Sequence, residues 1–164
     1  MTAITVANTE YEIIDDLSDA VTDATIDDAA VFQVVDLSTS EDQAREVQLK
    51  GETPRCIILY QGSTQDTAPE DLLNCVLSVT FFIATKSTGT QAVKLREILR
   101  LVNAVKNAVS SDPPADAHTV AHQDFYHEKF VWTDPTIDTT EKDPWVAAML
   151  PLEVGFSLDS STSH

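Results

Sequence analysis

Between residues 8 and 24 the apolar positions recur with helical spacing. At 100° per residue, Ile13, Ile14, Leu17, Ala20, Val21 and Ala24 share one face, and Glu12, Asp15, Asp16, Asp19 and Asp23 share the opposite one. Thr9 and Glu12 have the T-x-x-E spacing of a capping box and predict where the helix starts. Residues 30–37, Ala-Val-Phe-Gln-Val-Val-Asp-Leu, predict a strand. Ser40 and Gln43 form a second capping box, so a short helix is expected from Ser40 to Lys50, with Gly51 as its stop.

Pro54 then introduces Arg55-Cys56-Ile57-Ile58-Leu59-Tyr60, whose unbroken apolar character predicts a strand buried on both faces. Residues 62–72 are polar and read as a connection. Cys75–Thr85 follows, with Leu77, Val79, Phe81 and Ile83 alternating toward one side, and strand, loop, strand predicts an antiparallel pair. The strongest helical pattern spans 89–110. Leu95, Ile98, Leu101, Val102, Val105 and Val109 form its stripe, Arg96, Arg100, Asn103 and Asn107 lie opposite, and Asp112-Pro113-Pro114 ends it. Val120–Trp132 is an aromatic strand candidate. Residues 133–144 form a polar segment, expected as a long loop that is either an interaction arm or merely mobile. Leu150, Leu152, Val154, Phe156 and Leu158 alternate strictly, the clearest strand signal in the chain, and 160–164 read as a loose tail.

These elements fill 164 residues without a repeat or a linker, so a single domain over 1–159 is expected. A chain of this size buries roughly 70% of its unfolded surface and sustains a core without disulfide or metal. The N-terminus has no signal-peptide pattern, and no apolar run reaches membrane-spanning length.

Charge changes the picture more. The formal net charge is −17, and residues 1–44 carry eleven acids, Glu10 to Asp42, before the first basic residue, Arg45. Such a field repels phosphate backbones and anionic membranes. It suits a solvated face, a saline medium, or a surface that DNA must pass without sticking. The basic residues Lys94, Arg96, Arg100 and Lys106 cluster in the 89–110 helix. An acidic helix and a basic helix on one chain could meet head to tail between copies.

Little in the sequence points to chemistry. Four scattered glycines exclude the usual phosphate-binding loops, and there is no G-x-S-x-G elbow. Cys56 and Cys75 lie in apolar strands and are expected as buried thiols, with a cross-strand disulfide as the alternative. His118, His122 and His127 have H-x3-H-x4-H spacing. In a strand these do not converge locally, and His127-Glu128 fails the H-E-x-x-H pattern at Val131. No catalytic residue, cofactor or metal is therefore expected, although a histidine-based metal protein and a monomeric adaptor remain competing readings.

The order of elements, with Pro54–Gly62, Phe81-Phe82-Ile83-Ala84, the helix bearing Leu95, Ile98 and Val102, and the closing Pro151-Leu152-Glu153-Val154-Gly155-Phe156, resembles the tail-terminator (tail-completion) proteins of long-tailed bacteriophages over residues 8–158. The resemblance implies an α+β fold, a mostly antiparallel sheet with helices packed on one face. It implies a structural virion protein, not an enzyme: a homohexameric ring that caps the tail tube, ends its polymerisation and meets the head-tail connector protein. The partners would be other copies of the chain, the tail-tube protein and the connector, with DNA sliding through the lumen unbound and no membrane involved. A head-completion or tail-tube protein is the alternative within that class. The surfaces expected to serve as interface or lumen are the acidic face (Glu12, Asp15, Asp16, Asp19, Asp23), the basic face (Arg96, Arg100) and the polar segment (Asp134, Asp138).

Overall fold

The structure, a computed structural model, describes residues 6–68, 72–111, 125–139 and 144–159. Helix α1 (Val6–Thr22) buries Ile13, Leu17, Ala20 and Val21, as the period predicts. It begins before Thr9, so the Thr9–Glu12 pair lies within the helix and does not cap it. Its last turn closes through Asp23 N–H, which donates to the carbonyl of Asp19 at 3.0 Å.

The chain then makes a two-residue hairpin that the pattern did not predict. Strands β1 (Thr25–Ile26) and β2 (Ala29–Ala30) pair across Asp27 and Asp28, whose φ values are 53° and 64°. Positive φ at both central residues matches the right-handed strand twist, and aspartate tolerates it better than most side chains. The strand expected at 30–37 therefore starts later, as β3 (Val34–Ser38). Helix α2 (Glu41–Gln48) forms where its cap predicts, with the Ser40 hydroxyl accepting from Gln43 N–H at 3.3 Å.

Strands β4 (Arg55–Ala68) and β5 (Leu72–Lys86) are the antiparallel pair. β4 continues to Ala68 and β5 starts at Leu72, both within the residues expected as a polar connection. A bulge between Tyr60 and Ser63, with Gly62 at φ 95°, shifts the register, and Thr64 and Gln65 are exposed beyond it. Polar residues persist in a strand when one face meets water. Helix α3 (Gln91–Ser111) is capped by the Thr90 hydroxyl, which accepts from Val93 N–H at 3.3 Å. It buries Ile98, Leu101, Val102, Val105 and Val109, but Leu95, expected in the same stripe, is 44% exposed.

Strands β6 (Phe125–Trp132), β7 (Thr136–Asp138) and β8 (Trp145–Asp159) complete the sheet. β7 lies inside the segment expected as loop. Its three residues pair with Ala147–Met149 of β8, a long-range contact that local polarity does not reveal. The expected strand start at Val120 lies outside the described residues, as do the Asp112-Pro113-Pro114 stop and the 160–164 tail.

The sheet order is β3-β4-β5-β8-β6, with β7 also on β8. Only β3–β4 is parallel, so the molecule is a single α+β domain with a mostly antiparallel sheet. α1 and α3 cover one face, packing on Cys56 and Ile58, on Leu77, Val79, Phe81 and Ile83, and on Leu150, Leu152, Val154 and Phe156. Each large apolar side chain so removed from water contributes about 1.5–3 kcal/mol. The short α2 adds a second layer on the other face, where Ala44 and Val47 meet Ile57, Leu59, Phe82 and Met149. This explains the unbroken apolar run of β4, whose successive residues serve opposite cores. Gln48 is buried at the end of α2 and donates from Nε2 to the carbonyls of Ile83 (2.9 Å) and Ala148 (3.3 Å), holding the helix to the sheet.

Candidate interaction site

The expected acidic face forms. Asp15, Asp19 and Asp23 are exposed on successive turns of α1 and its exit, and Glu12 and Asp16 are half-buried beside them. The carboxylate oxygens of Asp15, Asp16 and Asp19 lie within 4.8 Å of one another. Carboxylates this close repel in water, a cost that solvation and counter-ions reduce. The basic face forms as well, with Arg96 and Arg100 exposed on α3. Lys94 departs from it and is buried and engaged.

The structure does not bring these two faces together within one molecule. Arg96 and Arg100 make no ion pair among the described residues, whereas Arg45 and Lys50 each pair one turn away within α2, with Glu41 (2.9 Å) and Glu46 (2.8 Å). Arg100 instead borders a cleft with Glu97 and the Asp27 hairpin. Asp134 is exposed, while Asp138 is half-buried in β7, near Arg45 and Gln48 across a hollow of about 390 Å³. The polar segment is thus partly strand, and it reaches α3 through the Thr139 hydroxyl, which donates to Gln91 Oε1 at 2.7 Å. His118 and His122 lie outside the described residues, and His127 falls in β6.

Another site was not anticipated. α1 and the edge strand β3 border a groove of about 450 Å³, lined by Glu10, Tyr11, Ile14, Leu37 and Tyr60 among others. Tyr11 is 66% and Leu37 51% exposed, large apolar surfaces to leave in water. Glu10 is buried, and its Oε2 accepts from the Tyr60 hydroxyl at 2.9 Å. Burial first, and then the bond to Glu10 and its charge, push the Tyr60 hydroxyl above its usual pKa. A sequence signal existed: Glu10 stands at i, i+3, i+4 and i+7 with Ile13, Ile14 and Leu17, an acid on the apolar face. The groove itself needs β3, which joins the sheet through β4.

Cys56 and Cys75 are free, buried thiols. Both face the α1–α3 core but stand opposite other residues, Ile83 for Cys56 and Gln65 for Cys75. Burial, with the Glu10 charge second, pushes the Cys75 thiol up to about 11, which makes it a poor nucleophile at neutral pH.

No protein-family model matches the chain, and no curated protein matches it in sequence. No helix among the described residues is long and apolar enough to cross a membrane. Fold and surface together define an α+β domain whose distinguishing surface features are an acidic helix, a basic helix and an apolar groove.

Proposed function

We propose that this chain is a structural virion protein, a ring-forming terminator of a bacteriophage tail tube that ends tube polymerisation and joins the tail to the head-side connector. The observation that carries the reading is the architecture. A helix, an edge strand, a short helix, a long β-hairpin, a second long helix and closing strands occur in the order the resemblance implies, on a mostly antiparallel sheet. Two further observations support it. The charged faces of α1 and α3 lie on separate surfaces, so the basic one can meet a neighbouring copy while the acidic one faces the lumen. The acidic face of α1 suits a lumen through which DNA passes without binding. The role is mechanical and uses no catalytic group or cofactor.

Light scattering coupled to size exclusion, at low and high salt, with negative-stain images of the peak, tests this. A closed ring of about six copies is expected. Open filaments would point instead to a tail-tube protein, and binding to the portal side without rings to a head-completion protein. A chain that is monomeric and also ignores added tail-tube protein would overturn the assignment.

A further inference from the structure

Glu10 is 9% exposed. Its Oε2 has the Tyr60 hydroxyl, but its Oε1 is buried with no hydrogen-bond partner among the described residues. A carboxylate placed this way has lost its hydration and recovered only part of it. It lines a groove whose rim, Tyr11 and Leu37, is apolar and exposed. An apolar trough with an under-provided carboxylate fits an apolar ridge that carries a cation.

The same chain has such a ridge. Leu95 and Leu99 are 44% and 36% exposed, one turn apart on α3, and Arg96 and Arg100 form the adjoining row. Several other cations are occupied: Arg45 and Lys50 in ion pairs, Arg55 on the Val47 carbonyl at 2.8 Å, and Lys86 over the Trp145 ring at 4.9 Å. The ridge does not meet its own groove. α3 packs beside α1 and over β5 and β8, but the groove is lined from α1, β3, β4 and the start of α2, and no described residue of α3 borders it.

We infer that the groove between α1 and β3 receives α3 of a second copy, with Leu95 and Leu99 seated against Tyr11 and Leu37 and the Arg96 guanidinium donating to Glu10 Oε1. This rests on the ring reading above and supplies its interface. Two different patches meet, so the contact repeats. Each copy offers a groove to one neighbour and a ridge to the other, and the chain of contacts closes into a ring when the rotation per copy divides a full turn. The arginine–carboxylate bond, shielded by the surrounding apolar side chains, selects the register.

A complementation experiment tests it. One variant, Tyr11→Ser with Leu37→Ser, loses the groove. The other, Arg96→Glu with Leu99→Ser, loses the ridge. All four side chains are exposed, so both variants are expected to fold, checked by circular dichroism and a thermal melt. By light scattering each variant alone is expected at the monomer mass of 17.9 kDa. An equimolar mixture is expected to form a heterodimer and stop there, because one intact groove and one intact ridge remain. Glu10→Gln keeps the shape and is expected to weaken assembly of the otherwise unchanged chain by about ten- to a hundredfold. If either double variant assembles as the unchanged chain does, the groove assignment falls while the ring reading stands. A mixture that stays monomeric overturns the assignment too. So does an unchanged chain that is monomeric at millimolar concentration, and the ring reading is then decided separately by mixing with tube protein.

Discussion

At the scale of single residues, the buried thiols link the stability of the fold to alkaline pH. Burial raises Cys75 from 9.0 to about 11, and pushes Cys56 and the Tyr60 hydroxyl in the same direction. The unfolded chain therefore releases these protons first as pH rises. The stability that the Cys75 thiol contributes is fully present below pH 9 and is lost progressively toward pH 11. Urea midpoints measured across this range should be flat up to the lower value and then fall, and Cys75→Ala should flatten part of the decline. An unchanged midpoint at the higher value would mean that the thiols are solvated. Core and surface positions should separate as clearly. Phe81 is fully buried with its ring 6.0 Å from that of Trp132, and Phe81→Ala should cost about 3–5 kcal/mol in equilibrium unfolding. Leu95→Ala should cost less than about 0.5 kcal/mol of subunit stability, because that side chain is half in water.

Among the elements, the β1–β2 hairpin is the place where local chemistry and backbone geometry agree least. Asp28 holds φ 64°, a conformation that glycine adopts without a Cβ penalty. Asp28→Gly should stabilise the fold by up to about 1 kcal/mol, which raises Tm by about 2–4 °C in a thermal melt. A lower Tm would mean that the Asp28 side chain holds the turn. Elements built from local signals were legible in the sequence. The periods of α1 and α3, the Ser40 cap and the alternation of β5 and β8 all act within one or two turns of chain. The outer half of β4 was not legible, because its polar residues look like loop until β5 lies beside them. β7 was hidden for the same reason, as three residues become a strand only against Ala147–Met149. The acidic and basic faces could be read residue by residue. The groove could not, since it joins Glu10 to Tyr60 and to an edge strand far along the chain.

For the whole molecule, a net charge of −17 opposes compaction. Salt shrinks the reach of that repulsion from about 30 Å at 0.01 M to about 3 Å at 1 M. The Tm of the chain at a concentration where light scattering finds it monomeric should therefore climb with sodium chloride, and a flat response would show the acids to be neutralised already. The order of strand pairing carries a different consequence. β8 is hydrogen-bonded to β5 along one side and to β6 and β7 along the other. During synthesis β5 must wait for a strand that emerges more than half the chain after α1. A ribosome that stalls before Trp145 leaves β5 with an open edge rich in Val, Phe and Ile, a template for aggregation. Such a fragment presents that edge to chaperones and proteases before it can join the folded pool, so an error of synthesis is exposed at translation and not hidden inside a finished fold.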